Sequence, residues 1–344
     1  MKKLNIHGLV MGVALILIQT AQGQDYNLSQ LMESPILLNP ANTGLTYPMR
    51  ANLNYRQQWR SITKPYTTVL GSFDAIVYRQ NAKGSSLGAG ILLLNDQAGT
   101  GKLSTLNANL SIMGKVLIND NQNLSAGIIG GLMQRKVDIN SLTWTDQFNG
   151  TSYDASIASG ELLSNDKRLS PDIGTGIQWS YGKSAGTLSS NDAIGAQVGI
   201  AAYHVNMPNT GFQEDADKRY VRYLVHGSFS YGFKNTPFLI NPVIILQKQG
   251  PSRMFYGGSY VKYLLQESSR YTGNLLSRSI HLGLFYRAGD AFVSILKVEY
   301  DQFAFGISYD FNLSSLTKIT SGRGGMELSL QYLPFKPSKG SKLL

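Results

Sequence analysis

The chain has 344 residues, 42% of them hydrophobic, with 36 glycines, no cysteine and a formal net charge of +10. The lack of cysteine excludes disulfide staples, thiolate metal sites and an acylated lipoprotein terminus. The positive charge comes without a basic helix or a clustered Lys/Arg run, so it argues for lumen and loop residues facing anionic headgroups rather than for nucleic acid.

Residues 1–23 have the layout of an export signal: Lys2 and Lys3, an apolar stretch from Leu9 to Ile18 too short to span a bilayer, and Ala21 and Gly23 at a small-x-small cleavage site. Residues 24–48 are expected to form a periplasmic N-terminal segment, broken by Pro35 and Pro40, with Asn39 and Asn42 as turn formers. From there about fourteen segments alternate apolar and polar residues over the roughly ten-residue length of a tilted transmembrane strand. In Arg50–Arg60, Ala51, Leu53, Tyr55 and Trp59 share one face, and Asn52, Asn54, Arg56, Gln58 and Arg60 share the other. This period of two is incompatible with an amphipathic helix. Thr67–Tyr78, Leu87–Asn95, Leu103–Ile118, Asn123–Val137, Asp172–Tyr181, Asp192–Val205, Tyr220–Phe233 and Phe238–Gln249 follow. Arg253–Gln266, Asn274–Arg287, Ala291–Tyr300, Phe303–Phe311 and Gly325–Tyr332 complete the set.

Even-numbered connections such as Asn119–Gln122, Lys234–Pro237 and Asp301-Gln302 are short, whereas the odd-numbered Asp138–Leu169 and Asn206–Arg219 are long. Short periplasmic turns and long external loops are the rule for outer-membrane barrels. The predicted fold is therefore all-β: a closed antiparallel transmembrane β-barrel of about fourteen strands over 49–333, with a short basic tail at 334–344. So many strands would over-fill a soluble sandwich.

Five stretches resemble one family. They are Pro35-Ile-Leu-Leu-Asn-Pro-Ala-Asn-Thr-Gly44, Tyr55-Arg-Gln-Gln-Trp59, Gly88-Ala-Gly-Ile-Leu-Leu-Leu-Asn-Asp96, Ser308-Tyr-Asp-Phe-Asn-Leu-Ser314 and Gly322-Arg-Gly-Gly-Met-Glu-Leu-Ser329. In order and spacing the chain is similar to the PorP/SprF family of type IX secretion outer-membrane proteins. The resemblance implies an outer-membrane barrel that supports type IX secretion. Some members are general components tied to the periplasmic ring of the machine. Others serve one large secreted surface protein, such as a gliding adhesin. The motif positions are Asn39, Pro40, Ala41, Gly44, Tyr55, Arg56, Trp59, Asn95 and Asp96. Asp138–Asn206 matches no family motif, so cargo preference is not carried over from it.

Among candidate sites, Asn39, Pro40, Ala41 and Gly44 read as a turn that starts the barrel wall, in preference to a plug or docking surface. Arg56, Arg60, Asp74, Lys115, Arg222, Lys262, Lys297, Glu299, Asp310 and Glu327 should point inward by alternation, as a network of paired charges rather than a selectivity lumen. His226 and His281 also face inward, but two separate histidines do not make a metal site. The acidic group Glu214, Asp215 and Asp217 lacks EF-hand spacing, and Ser321–Gly325 lacks the strand-to-helix context of a phosphate loop. The loop Asp138–Leu169 carries Trp144, Phe148 and Tyr153, either as an external recognition surface or as a self-packed cover. No cofactor and no enzymatic activity is expected. The expected partners are outer-membrane lipid, the secretion machinery and a secreted surface protein. The alternative is a passive porin for small solutes.

Overall fold

The computed structural model describes residues 25–60, 64–80, 84–99, 101–159, 166–183, 193–212, 217–266, 278–314 and 317–334. The export signal, Glu214, Asp215, the first residues of the eleventh predicted strand and nearly all of the C-terminal tail lie outside them. Fourteen strands form one closed barrel: β1 (Met49–Gln58), β2 (Tyr66–Arg79), β3 (Ser86–Ala98), β4 (Leu103–Asn119), β5 (Gln122–Lys136), β6 (Lys167–Lys183) and β7 (Ile194–Tyr203), then β8 (Arg222–Gly232), β9 (Phe238–Gln249), β10 (Ser252–Gln266), β11 (Arg278–Arg287), β12 (Ala291–Tyr300), β13 (Phe303–Asn312) and β14 (Arg323–Tyr332). Each strand pairs antiparallel with its sequence neighbours, and β1 closes on β14 through pairs from Ala51↔Tyr332 to Gln58↔Gly325. Closure leaves no open sheet edge in hydrocarbon, which lipid could not satisfy.

All fourteen predicted strands are present, most with ends shifted by one or two residues. Facing follows the alternation. Leu110 and Ile112 are 66% and 65% exposed, whereas Ser111 between them is 1% exposed. Two residue assignments need correction. Arg60 does not face the lumen, because β1 stops at Gln58 and Trp59 takes a positive φ of 57° that ends the alternation, leaving Arg60 exposed in the loop. The expected loop Asp138–Leu169 loses its last residues to β6, which starts at Lys167.

We call the end carrying the long connections 137–166 and 204–221 the loop mouth, and the other end the turn mouth. At the turn mouth Asn235 and Asp301 take positive φ in tight hairpins, a conformation that short polar side chains tolerate.

The N-terminal segment departs most from expectation. Residues 25–48 neither sit apart in the periplasm nor merely begin the wall: they thread the barrel interior from the loop mouth, at Asp25, to the turn mouth, where Pro48 leads into β1. Single helical turns at Leu31–Glu33, Pro35–Leu38 and Pro40–Asn42 shorten the path. The reason is apolar. Leu28, Leu31, Ile36, Leu37 and Leu38 pack with inward residues of the wall, among them Leu92, Leu94, Ile129, Leu224, Ile245, Phe285 and Val293. Burying each such side chain fully contributes about 1.5–3 kcal/mol. A fourteen-stranded wall is too wide for its own inward side chains to fill, and the segment supplies the missing core.

An arginine at Leu110 or Ile307, both lipid-facing, should destabilise the barrel by about 2–4 kcal/mol if the site lies at mid-bilayer. Heat-modifiability on gels tests this, and wild-type behaviour of both variants would contradict the facing.

Candidate functional site

The internal segment, hereafter the plug, has a seat cut to its shape by glycine. At several inward wall positions a side chain would collide with it. A Cβ on Gly88 would lie 2.2 Å from the Thr43 carbonyl, one on Gly127 2.4 Å from the Pro40 carbonyl, one on Gly176 2.0 Å from Asn39 Oδ1, and one on Gly306 2.3 Å from Gln30 Oε1. Gly44 of the plug, at φ +61°, approaches β2 and β3 so closely that its own Cβ would meet the Ala75 carbonyl at 2.8 Å. Only glycine combines this φ with this approach.

Polar clamps fix the plug along its length. Asn39 donates from Nδ2 to the carbonyls of Ile177 (3.1 Å) and Ile200 (3.3 Å), lies 3.1 Å from His226 Nε2, and accepts from the Ala41 amide through Oδ1. Close below the loop mouth, Ser29 sits within a buried ion network. Arg56 reaches Asp310 at 2.7 Å and Glu327 at 3.1 Å, and Arg287 reaches Asp310 at 3.2 Å. The Ser29 amide donates to Glu327 (2.7 Å), its hydroxyl donates to Asp310 (2.6 Å), and the two arginines donate to that hydroxyl. Towards the turn mouth Asp74 accepts from Arg50 and from the Gly44 amide at 2.7 Å. Lys297 bridges Glu33 of the plug (2.9 Å) to Glu299, which also pairs with Lys262 (2.9 Å).

At the loop mouth Asp25 is the anchor. It pairs with Arg219, with Arg222 at 3.3 Å and with His204 at 2.8 Å, and His204 contacts Asp172 through its other nitrogen at 2.8 Å. Burial works against the charge on Asp25, but Arg219, His204 and Arg222 outweigh it and hold the carboxyl well below its ordinary range. Burial likewise works against protonated His204, yet Asp25 and Asp172 raise it above the ordinary imidazole value. Above the plug, the loop mouth opens into a vestibule of about 460 Å³. Its floor is Asp25–Asn27, and its walls include Trp59, Tyr66, Asp96, Arg135 and Tyr220.

The inward set is thus brought together as paired charges. Arg56, Asp310, Glu327, Lys297, Glu299, Lys262, Asp74 and Arg222 all take part, while Lys115 is buried without a carboxylate partner among the described residues. Of the family-motif residues, Asn39, Pro40, Ala41 and Gly44 lie in the plug, and Trp59 packs edge-on against Tyr66 at 4.8 Å. Asp96 accepts from Thr68 at 2.6 Å, while Tyr55 and Asn95 point outward. In the long loop Phe148 and Tyr153 are exposed and bridge to each other, and Trp144 is half-buried. The Ser29 network has no sequence signature, since nothing in the sequence marks a lone serine in a turn-rich segment.

One cluster resembles hydrolytic machinery: Ser279, His281 and Glu299. Both Ser279 Oγ (3.1 Å) and Glu299 Oε1 (3.2 Å) contact the same atom, His281 Nε2. A relay needs the base oriented through its other nitrogen, so this arrangement does not activate the serine. Among the described residues no three His, Asp or Glu side chains are grouped to hold a metal ion.

Arg56→Ala would leave Asp310 and Glu327 buried without their nearest guanidinium and should cost about 3–5 kcal/mol, read as a lower denaturant midpoint. His204 is more basic folded than unfolded. Its contribution to anchoring Asp25 is therefore complete below the free imidazole value of 6.5 and fades as pH rises through the raised value. Cleavage at the plug's first residues by added protease should increase over that rise, and His204→Gln should abolish the dependence.

The family profile described as "Type IX secretion system membrane protein PorP/SprF" matches residues 20–332. A comparison with curated proteins returns no match. Among solved structures the chain is similar to the Pseudomonas putida toluene transporter TodX (10% identity, TM-score 0.45, covering 91% of this chain and 96% of that one). It is also similar to a Pseudomonas aeruginosa FadL homologue (10%, 0.44, 88% and 94%) and to BamA from Haemophilus ducreyi lacking POTRA domains 1–3 (10%, 0.41, 83% and 70%).

Proposed function

The chain belongs to the PorP/SprF family of type IX secretion system membrane proteins, and from that premise we propose that it supports export or surface attachment of a secreted partner protein, of gliding or adhesin type, without conducting solutes. It is a multi-pass β-barrel of the bacterial outer membrane. The observation that carries the non-conducting part is the plug: Ile36, Ala41, Asn39 and Thr43 are fully or almost fully buried within the lumen. A porin needs a continuous water path, and here the vestibule ends on Asp25–Asn27.

In this reading the long connections face outward and the turn mouth faces the periplasm, as barrel topology favours. The exposed pair Phe148 and Tyr153, with Trp144, offers aromatic surface amid polar residues, and it is the first choice for contact with the secreted partner. The plug holds a rigid platform beneath that loop. The buried ion pairs serve the platform and not transport.

The test is gene deletion with mass spectrometry of surface and medium proteins. Loss of one or a few secreted proteins is the expected result. Loss of every type IX substrate would assign a general role in the machine. An unchanged secretome, joined with steady conductance of the purified barrel in planar bilayers, would replace this reading with the porin.

A further inference from the structure

The outer face of the loop mouth carries two pairs of directly opposed cations. Lys136 on β5 lies across from Lys167 on β6, and Lys248 on β9 lies across from Arg253 on β10. All four are exposed, and none makes an ion pair or side-chain hydrogen bond among the described residues, although Lys102 at the same mouth pairs with Asp138. Alternation places the four on the lipid side. Leu132 and Leu169, and likewise Leu246 and Phe255, share their face and are 51%, 60%, 44% and 41% exposed. Leu246 and Phe255 stand two residues below Lys248 and Arg253, a rise of about 7 Å along the strand. Tyr223, the β8 neighbour of Lys248, adds an outward phenol at the same level. The cations therefore sit just above the hydrocarbon boundary, at headgroup height.

Like charges directly opposed across a strand pair destabilise it, and their Cβ atoms are only about 4.5–5.5 Å apart. A bare pair of this kind has no purpose in the wall's own stability. A phosphate between the two side chains turns the repulsion into two charge-assisted hydrogen bonds. Two such sites on the lipid side, four strands apart around the wall, suit a ligand presenting phosphates at the membrane surface.

We propose that Lys136–Lys167 and Lys248–Arg253 bind the phosphates of phosphorylated glycolipid headgroups in the outer leaflet. This rests on the outward orientation of the loop mouth proposed above. It assigns a lipid ligand to a surface outside the plug and the vestibule, and it fixes the height and tilt at which the recognition loop is presented.

The full-length protein in detergent is titrated with lipid A, and binding is read by native mass spectrometry. The comparison is with K136Q/K167Q, K248Q/R253Q and the quadruple variant. Each Lys or Arg near an anionic surface contributes about 1 kcal/mol, so each double variant should weaken its own site at least about tenfold and lose one of two bound lipid A molecules, and the quadruple variant should lose both. Lys102→Gln should bind as the wild type does. Heat-modifiability should be unchanged or slightly increased in every variant, since the substituted side chains make no internal contact and their removal relieves a repulsion. Equal binding of lipid A by wild type and quadruple variant would overturn the proposal. So would equal binding of phosphatidylglycerol, which would mark a general anionic-lipid surface, or displacement of lipid A by millimolar inorganic phosphate, which would mark a free-anion site. The secretome of the deletion strain is a separate readout, so loss of the lipid proposal leaves the secretion reading standing, and the reverse.

Discussion

The packing of residues 25–48 inside the barrel is the interaction on which the other features depend. A closed wall of fourteen strands satisfies its backbone but encloses more space than its inward side chains can fill. In this chain the space is filled by an apolar column, Leu28 to Leu38, set against Leu92, Leu94, Ile245 and Phe285. The polar clamps act on that arrangement. Beside that column the buried Arg56, Asp310 and Glu327 pair with one another, and Ser29 and Gln30 add to their bonding. The glycines at 88 and 127 are the other side of the same constraint, since plug backbone approaches the wall too closely there for any side chain, while those at 176 and 306 make room for the Asn39 and Gln30 side chains.

This explains why the barrel interior is divided into zones. Its middle is apolar, as in a soluble protein. Its two ends are ionic, with the Asp25 cluster at the loop mouth and the Lys297–Glu299–Lys262 cluster at the turn mouth. Such buried pairs are weak sources of net stability but severe penalties for misplacement. They give the plug one position and one register, which is what a fixed platform for external loops requires.

The wall was legible in the sequence because lipid on one side enforces a period of two that no other environment would maintain over fourteen segments. The facing of Leu110 and Ile307, the closure and the long loops follow from it. The plug was not legible, because Pro35–Leu38 is an apolar run without period, and its partners are distant in the chain. A trace of it was present: Ile91-Leu92-Leu93-Leu94 and Val243-Ile244-Ile245-Leu246 are apolar on both faces, which a wet lumen would not permit. The inward position of Arg60 failed for a local reason, the left-handed backbone at Trp59, which side-chain alternation cannot foretell.

The clamp residues have one more property. Ser29 and Gln30 bond to Glu327 on β14, Arg56 on β1 bonds to Ser29, Ser34 bonds to Asn54 on β1, and Gln331 on β14 bonds to the Glu33 carbonyl. The plug thus touches both strands of the seam where the first strand meets the last. In this barrel that seam joins the two strands with the greatest separation in sequence. With its own N-terminal residues lying across the joint, the chain carries a mandrel around which the sheet can be wound shut, so that completion of the wall and exclusion of water from its interior become a single cooperative event.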